Sequence, residues 1–478
     1  MRTPPPSPRR PRIALLAAAA LLAAACGPAD APAPRHVLLI TVDTLRADHL
    51  SLYGYPRSTS PALEELAAAG VTFDRAFAQW PKTGTSFASA FVGQYPQTTG
   101  LTHKAAVRVP DEYLTLPEFL SQLGFTTVAV VSNAVLGDHL GWNRGFDEYL
   151  ETWGLAPETS EDPVEYRKVV NARVVNELAL PLLEKHRGAG RLFAWIHYSD
   201  PHAPYLLPAD VDNPFVGDPF YLGEEEVRLE DPRATALGDR RDLKHYVAQY
   251  DANVRFADDH LGELLAGARE LGLLEDAAVI FTSDHGESLG EHDYFFAHGR
   301  LPYNDGLHVP LVVSYPPAVA PGRRVAAPVE LVDLYPTLQA WLAPERPVPG
   351  LEGRSLLPWL LAAAPPPAET LAFSQAGGGS PLTHFRAVQD GRFKLIYHPP
   401  MRHKGREIPA RWELYDLEAD PGETRNLAAD GETPELRRLA KDLRGWMKGS
   451  DWIRRPEAEI EARSQETLKA LRALGYAE

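Results

Sequence analysis

Six consecutive residues, Val37-Leu38-Leu39-Ile40-Thr41-Val42, make a nearly continuous apolar, β-branched run. A strand with one wet face alternates polar and apolar residues, so a run without alternation fits a strand covered on both faces, as in a parallel sheet. Segments 126–131, 192–196 and 278–282 repeat the pattern. Helical periodicity lies between them, over 116–123, 169–186 and 246–271, and again over 331–342. Ser60-Pro61 opens a further helix that stops at Gly70, with Ser as N-cap and Pro in the first turn. Strands alternating with helices predict an α/β fold with a mainly parallel sheet flanked by helices.

The chain has 478 residues, 44% hydrophobic and 23% charged, which is enough for a large packed core. Its formal net charge of −16 argues against non-specific nucleic-acid binding. The single cysteine, Cys26, excludes an intrachain disulfide and a cysteine-based zinc site. Arg2, Arg9, Arg10 and Arg12 precede an Ala/Leu-rich stretch over 13–25, the pattern of an export signal. Ala23-Ala24-Ala25 before Cys26 resembles a bacterial lipobox, with a plain cleaved signal as the alternative. The expected product is an exported lipoprotein, anchored through Cys26 to the outer membrane or a periplasm-facing membrane surface. Residues 27–35 read as a Pro/Ala-rich tether and 36–345 as the main domain. Pro/Ala-rich stretches at 344–349 and 362–367 mark a border. A small α+β subdomain follows over 365–448, with a strand pattern at 386–397, then a charged helical tail over 449–478.

Two of the strand-like runs end in chemistry. Asp43 follows the first, and Asp284-His285-Gly286 follows the run over 278–282. Open α/β sheets bind ligands at the carboxyl ends of their strands. A carboxylate there is a metal ligand or a helix cap. An adjacent Asp and His offer one oxygen and one nitrogen to a single ion.

Val37 to Pro61, the string Phe281 to Glu291 (FTSDHGESLGE), the motif Asp200-Pro201-His202, the segments at 308–313 and 332–337, and Trp412 to Leu427 together resemble the sulfatase family of the alkaline phosphatase superfamily. The resemblance implies an alkaline-phosphatase-like fold and hydrolysis of sulfate or phosphate esters. It implies one divalent ion at Asp43, Thr44, Asp284 and His285. Calcium is the family's usual ion, while the loss of a carboxylate at Thr44 and the gain of His285 leave Mn²⁺ or Zn²⁺ open. It also gives His202 and His298 roles at the substrate. The partner is a small-molecule, glycan or lipid ester, and the oligomeric state is not encoded in any motif.

One departure matters. The family's nucleophile is a formylglycine made from the first residue of Cys/Ser-x-Pro-x-Arg. Counting back from Val92-Gly93-Gln94-Tyr95-Pro96 puts Thr83 at that place, with Thr85 for Pro and Phe87 for Arg. A threonine hydroxyl at a helix start beside a metal is a usable nucleophile; a helix cap is its alternative role. Lys82 is the candidate replacement for the missing positive charge. A Thr ester must be released by water or another alcohol, which favours phosphoryl over sulfuryl chemistry. The alternatives are a phospho-head-group transferase and a non-catalytic binding lipoprotein.

Overall fold

The computed structural model describes residues 32–102, 108–155, 168–223, 242–377, 384–403 and 406–448. The leader with Cys26, the tail over 449–478 and much of the irregular stretch between Pro208 and Asp242 lie outside these residues. Among the described residues no helix is long and apolar enough to cross a membrane.

A nine-stranded sheet forms the centre. In chain order its strands are β1 (His36–Val42), β2 (Val71–Phe77), β3 (Thr126–Val131), β4 (Glu148–Glu151), β5 (Leu192–Tyr198), β6 (Ala277–Ser283), β7 (His308–Ser314), β8 (Arg323–Val325) and β9 (Val329–Glu330). Their spatial order is β8-β2-β7-β6-β1-β5-β3-β4, with β9 also on β2. β1 is central and parallel to both β5 and β6. β7 runs antiparallel to β2 and β6, so the sheet is parallel except there.

The residues of β1 explain the layering. Val37 and Leu39 enter one buried cluster, and Leu38, Ile40 and Val42 enter another on the opposite face. The first cluster takes helices α2 (Thr83–Val92), α3 (Leu116–Gln122) and α6 (Leu334–Leu342). The second takes α1 (Pro61–Ala68), α4 (Ala172–His186) and α5 (Leu243–Glu270). Each fully buried Val, Leu or Ile contributes about 1.5–3 kcal/mol. The unalternating run is therefore a strand between two cores.

Ser60 stands at the N-cap of α1 but makes no cap bond. Its hydroxyl is 3.0 Å from that of Ser51. The open N–H groups of Ala62 and Leu63 instead donate to Asp258 of α5, at 2.7 and 2.9 Å.

The second sheet is antiparallel, in the order β10 (Ala372–Ala376), β11 (Phe385–Gln389), β12 (Phe393–His398), β13 (Arg411–Asp416). The strand pattern expected over 386–397 is a hairpin, because Asp390 accepts from the N–H groups of Arg392 and Phe393 and turns the chain. Helix α7 (Pro434–Lys448) covers this sheet with Leu439, Ala440 and Leu443. Lys394 on β12 is fully buried rather than solvated, paired to Glu423 at 2.7 Å and donating to Asn304 at 2.8 Å.

Candidate active site

Val42 pairs with Ser283, so the residues that follow, Asp43 and Asp284, leave adjacent parallel strands side by side. The turns are stitched: Asp43 N–H donates to Tyr198 O at 2.8 Å, and Leu45 N–H donates to Ser283 Oγ at 3.0 Å. Thr44 adopts φ 55°, a left-handed conformation costly for a β-branched residue. Asp43, Thr44, Asp284 and His285 are all at 0% exposure.

Their polar atoms are incompletely used. Asp43 Oδ2 accepts from Asn133 Nδ2 at 2.5 Å, and Asp284 Oδ1 accepts from His285 N–H at 2.9 Å. Asp43 Oδ1, Asp284 Oδ2 and Thr44 Oγ1 are buried with no hydrogen-bond partner. Ligand atoms of Asp43, Asp284 and His285 lie within 4.8 Å of one another. His285 Nδ1 bonds Gly286 O at 2.8 Å, which makes Nδ1 the protonated nitrogen and leaves Nε2 as an acceptor. Unbonded carboxylate oxygens withdrawn from water are costly without a cation, so the donor set fits a divalent ion. The pair is electrostatically split. Burial, then the charge of Asp43, pushes the Asp284 carboxyl up; for Asp43 the burial effect is outweighed by His202, His197 and His285, which hold it below the usual range.

Thr83 is the first residue of α2, after Lys82 at the N-cap, and no side chain caps this helix. The Thr83 hydroxyl instead lies 3.2 Å from His285 Nε2. Ser86, one turn on, donates to Asp284 O at 2.6 Å and ties the helix to the strand end. The Lys82 stem runs against Gly299, where a Cβ would fall 2.4 Å from Lys82 Cε. Burial lowers the Lys82 pKa. The ring of His298 packs 4.4 Å from that of His285 and 5.4 Å from that of His202, and its Nδ1 is 3.1 Å from Glu287 Oε1. His202 Nδ1 bonds Ala203 O at 2.7 Å, and burial pushes its pKa down to about 4.

The fold thus gathers Asp43, Thr44, Lys82, Thr83, His202, Asp284, His285 and His298 around one point. Sequence reasoning missed Asn133 and Glu287. Asn133 follows the β3 run as Asp43 follows β1, so the strand-end rule would have found it. Glu287 lies inside the quoted Phe281–Glu291 string, but nothing in the string shows that it holds His298. Phe87, where the family has Arg, packs 5.1 Å from Trp195 and 5.3 Å from His197 in the apolar core. Arg46 is structural: it binds Asp48 and Glu291, both at 2.8 Å, and Glu287 O at 3.0 Å. His292 stacks on Tyr303, with ring centroids 3.5 Å apart.

Comparison with known proteins gives the family. Residues 35–343 match the sulfatase family model, and 290–448 match the model of the N-sulphoglucosamine sulphohydrolase C-terminal region. The N-acetylglucosamine-6-O-sulfatase of Bacteroides thetaiotaomicron is 24% identical over 92% of both chains. Human arylsulfatase A is 27% identical over 91% of this chain and 90% of its own. The solved phosphonate monoester hydrolase of Silicibacter pomeroyi shares the fold, with a TM-score of 0.70, 23% identity, and coverage of 88% of this chain and 96% of that one. The chain belongs to the sulfatase family of the alkaline phosphatase superfamily, as an ester hydrolase of the sulfuric or phosphoric class.

Proposed function

We propose that this protein is a metal-dependent hydrolase of phosphate or sulfate esters whose nucleophile is Thr83, with phosphoryl transfer favoured. The observation that carries this reading is the Thr83 hydroxyl, 3.2 Å from His285 Nε2 at the edge of the Asp43, Asp284 and His285 cluster. Those three residues and Thr44 would hold the ion, with Ca²⁺, Mn²⁺ or Zn²⁺ all compatible with a mixed carboxylate, hydroxyl and imidazole set. When bound, the ion supplies positive charge that lowers the pKa of a neighbouring hydroxyl and offsets charge on the ester oxygens.

The chain's own groups do the rest. The first-turn N–H groups of α2 and the Lys82 ammonium bind the non-bridging oxygens. The Thr83 oxygen forms a bond to phosphorus or sulfur as the bond to the leaving alcohol breaks. The proton leaving the Thr83 hydroxyl passes through His202 or His298 to that alcohol. Water then releases Thr83; an alcohol in its place would make the reaction a transfer. The reading rests on a hydroxyl, since the chain's one cysteine lies far from this register.

Thr83→Ala is the test. Turnover of nitrophenyl sulfate, phosphate and phosphodiester is expected to vanish while most bound metal remains. Intact mass and peptide mapping of trapped wild type should place the adduct on Thr83. Wild-type turnover in Thr83→Ala, or an adduct on Thr85 or Ser86, would sink the assignment. A wild type inert toward the whole panel would favour a binding lipoprotein that kept the fold. The lipid anchor at Cys26 is proposed from the leader alone. Cys26→Ser should release the protein from membranes or block its processing, and an unchanged membrane fraction would refute the anchor.

A further inference from the structure

The second sheet reaches the catalytic segments through its first strand. On β10, Ser374 Oγ donates to Ala78 O at 2.7 Å, and Gln375 N–H donates to Gln79 O at 2.9 Å. Residues 78–80 lead directly into Lys82 and Thr83. One step beyond β10, Gly377 N–H donates to Gly299 O at 3.0 Å, next to His298. This strand is therefore clamped to both segments that carry candidate catalytic side chains.

One face of the β10–β11 hairpin is built from polar residues. Gln375 pairs with Arg386, and residues directly opposite share a face. His384, two positions before Arg386, falls on that face too, and Trp80 meets it edge-on with ring centroids 4.8 Å apart. Trp80, Gln375 and His384 are at 0% exposure and Arg386 is at 4%. Burial pushes the Arg386 guanidinium down to about 10. Both amide atoms of Gln375 and the Nε1 of Trp80 are buried with no hydrogen-bond partner. Buried donors without acceptors are destabilising, and native folds keep few of them. Here they cluster at the seam beside the active site.

We propose that Trp80, Gln375 and Arg386 form a recognition subsite for the leaving group of the substrate, specific for an acceptor-rich, anionic group such as a carboxylate. The chemistry selects the ligand. The amide of Gln375 offers two N–H groups and Trp80 one, beside the positive charge of Arg386, whose Nη1 donates to His384 O at 2.9 Å, against a single side-chain acceptor on Gln375. A carboxylate on the alcohol half of the ester accepts from the Gln375 amide and the Trp80 indole, and its charge is balanced by Arg386. The position agrees, because the cluster is joined through Gln79 to the Thr83 side of the site and through Gly377 to the His298 side. The proposal rests on the ester hydrolase reading.

The test uses metal-loaded protein carrying Thr83→Ala, titrated calorimetrically with 4-nitrophenyl phosphate and with 3-carboxy-4-nitrophenyl phosphate. The carboxylated ester is expected to bind about tenfold more tightly, the worth of one or two hydrogen bonds to a charged group. Adding Gln375→Leu or Trp80→Phe should bring the two affinities to within about twofold of each other, since the contacts that told them apart are gone. Equal affinities before those substitutions, or a preference that survives both, would overturn the subsite. If wild type also turns over the plain ester, that failure belongs to the subsite alone. If wild type turns over neither ester and neither binds, the hydrolase reading falls and the subsite with it.

Discussion

Asp43 and Asp284 at the rim, and Glu330 and Asp333 at the seam with the second sheet, are all withdrawn from water, with exposures of 0–1%. Their surroundings differ. Glu330 accepts from the Tyr95 hydroxyl at 3.0 Å on both oxygens, from Phe373 N–H at 2.9 Å and from Arg354 at 3.3 Å. Asp333 accepts from Glu330 N–H at 2.9 Å and from Arg354 N–H at 2.7 Å. Asp43 and Asp284 each keep one oxygen with no hydrogen-bond partner. The seam pair is complete within the protein, while the rim pair needs something from outside. Burial of acid therefore does not by itself mark a metal site; two buried acids with unbonded oxygens that converge with a histidine do.

The largest effect that could break this contrast is at Asp284. Asp284→Ala is expected to remove the ion and all turnover, as read by elemental analysis and the ester panel. Metal-free Asp284→Asn should melt above metal-free wild type, because it deletes one of two adjacent buried acids. Full metal occupancy in Asp284→Ala would contradict the rim assignment.

Next comes the seam. Glu330→Leu leaves the Tyr95 hydroxyl and the Phe373 N–H without their acceptor, while Arg354 keeps Leu371 O, an expected loss of about 2–5 kcal/mol in urea unfolding. Metal content should stay at the wild-type level. A loss under about 1 kcal/mol would mean the seam network is not closed in solution.

Asn133 sharpens the comparison, because it supplies the one side-chain amide bond that Asp43 receives. Asn133→Ala should weaken metal binding by about 10–100-fold, the usual effect of losing a residue that orients a ligand. A competitive chelator titration reads it, and an unchanged affinity would remove Asn133 from the site.

The smallest effect is in pH. Burial, then Asp333, raises the Glu330 carboxyl above its ordinary value. An acid raised in the fold holds a proton that the unfolded chain gives up. Its contribution to stability is thus full below the ordinary carboxylate range and is lost as pH rises through the raised value. Glu330→Gln should flatten that part of the stability profile, and an equal slope in both proteins would show that Glu330 does not titrate there.

Much of this was legible in the chain. The β1 and β6 runs, the acids at their ends and the helices between them are local patterns, set by side-chain period and burial on both faces. The resemblance extended that reading to Thr83, His202 and His298, since each falls in a short motif of fixed order. What tertiary structure alone decided are contacts between distant segments. Asp258 caps a helix 196 positions away, and Asn133 reaches Asp43 across 90 positions. Asp43 fills its place only because β1 lies between β5 and β6, and Gln375 meets the catalytic segments only because β10 docks beside residues 78–80. No pattern of period 2 or 3.6 encodes such pairings. They arise when whole elements pack, and packing decides which buried polar atoms find a partner and which are left for a ligand.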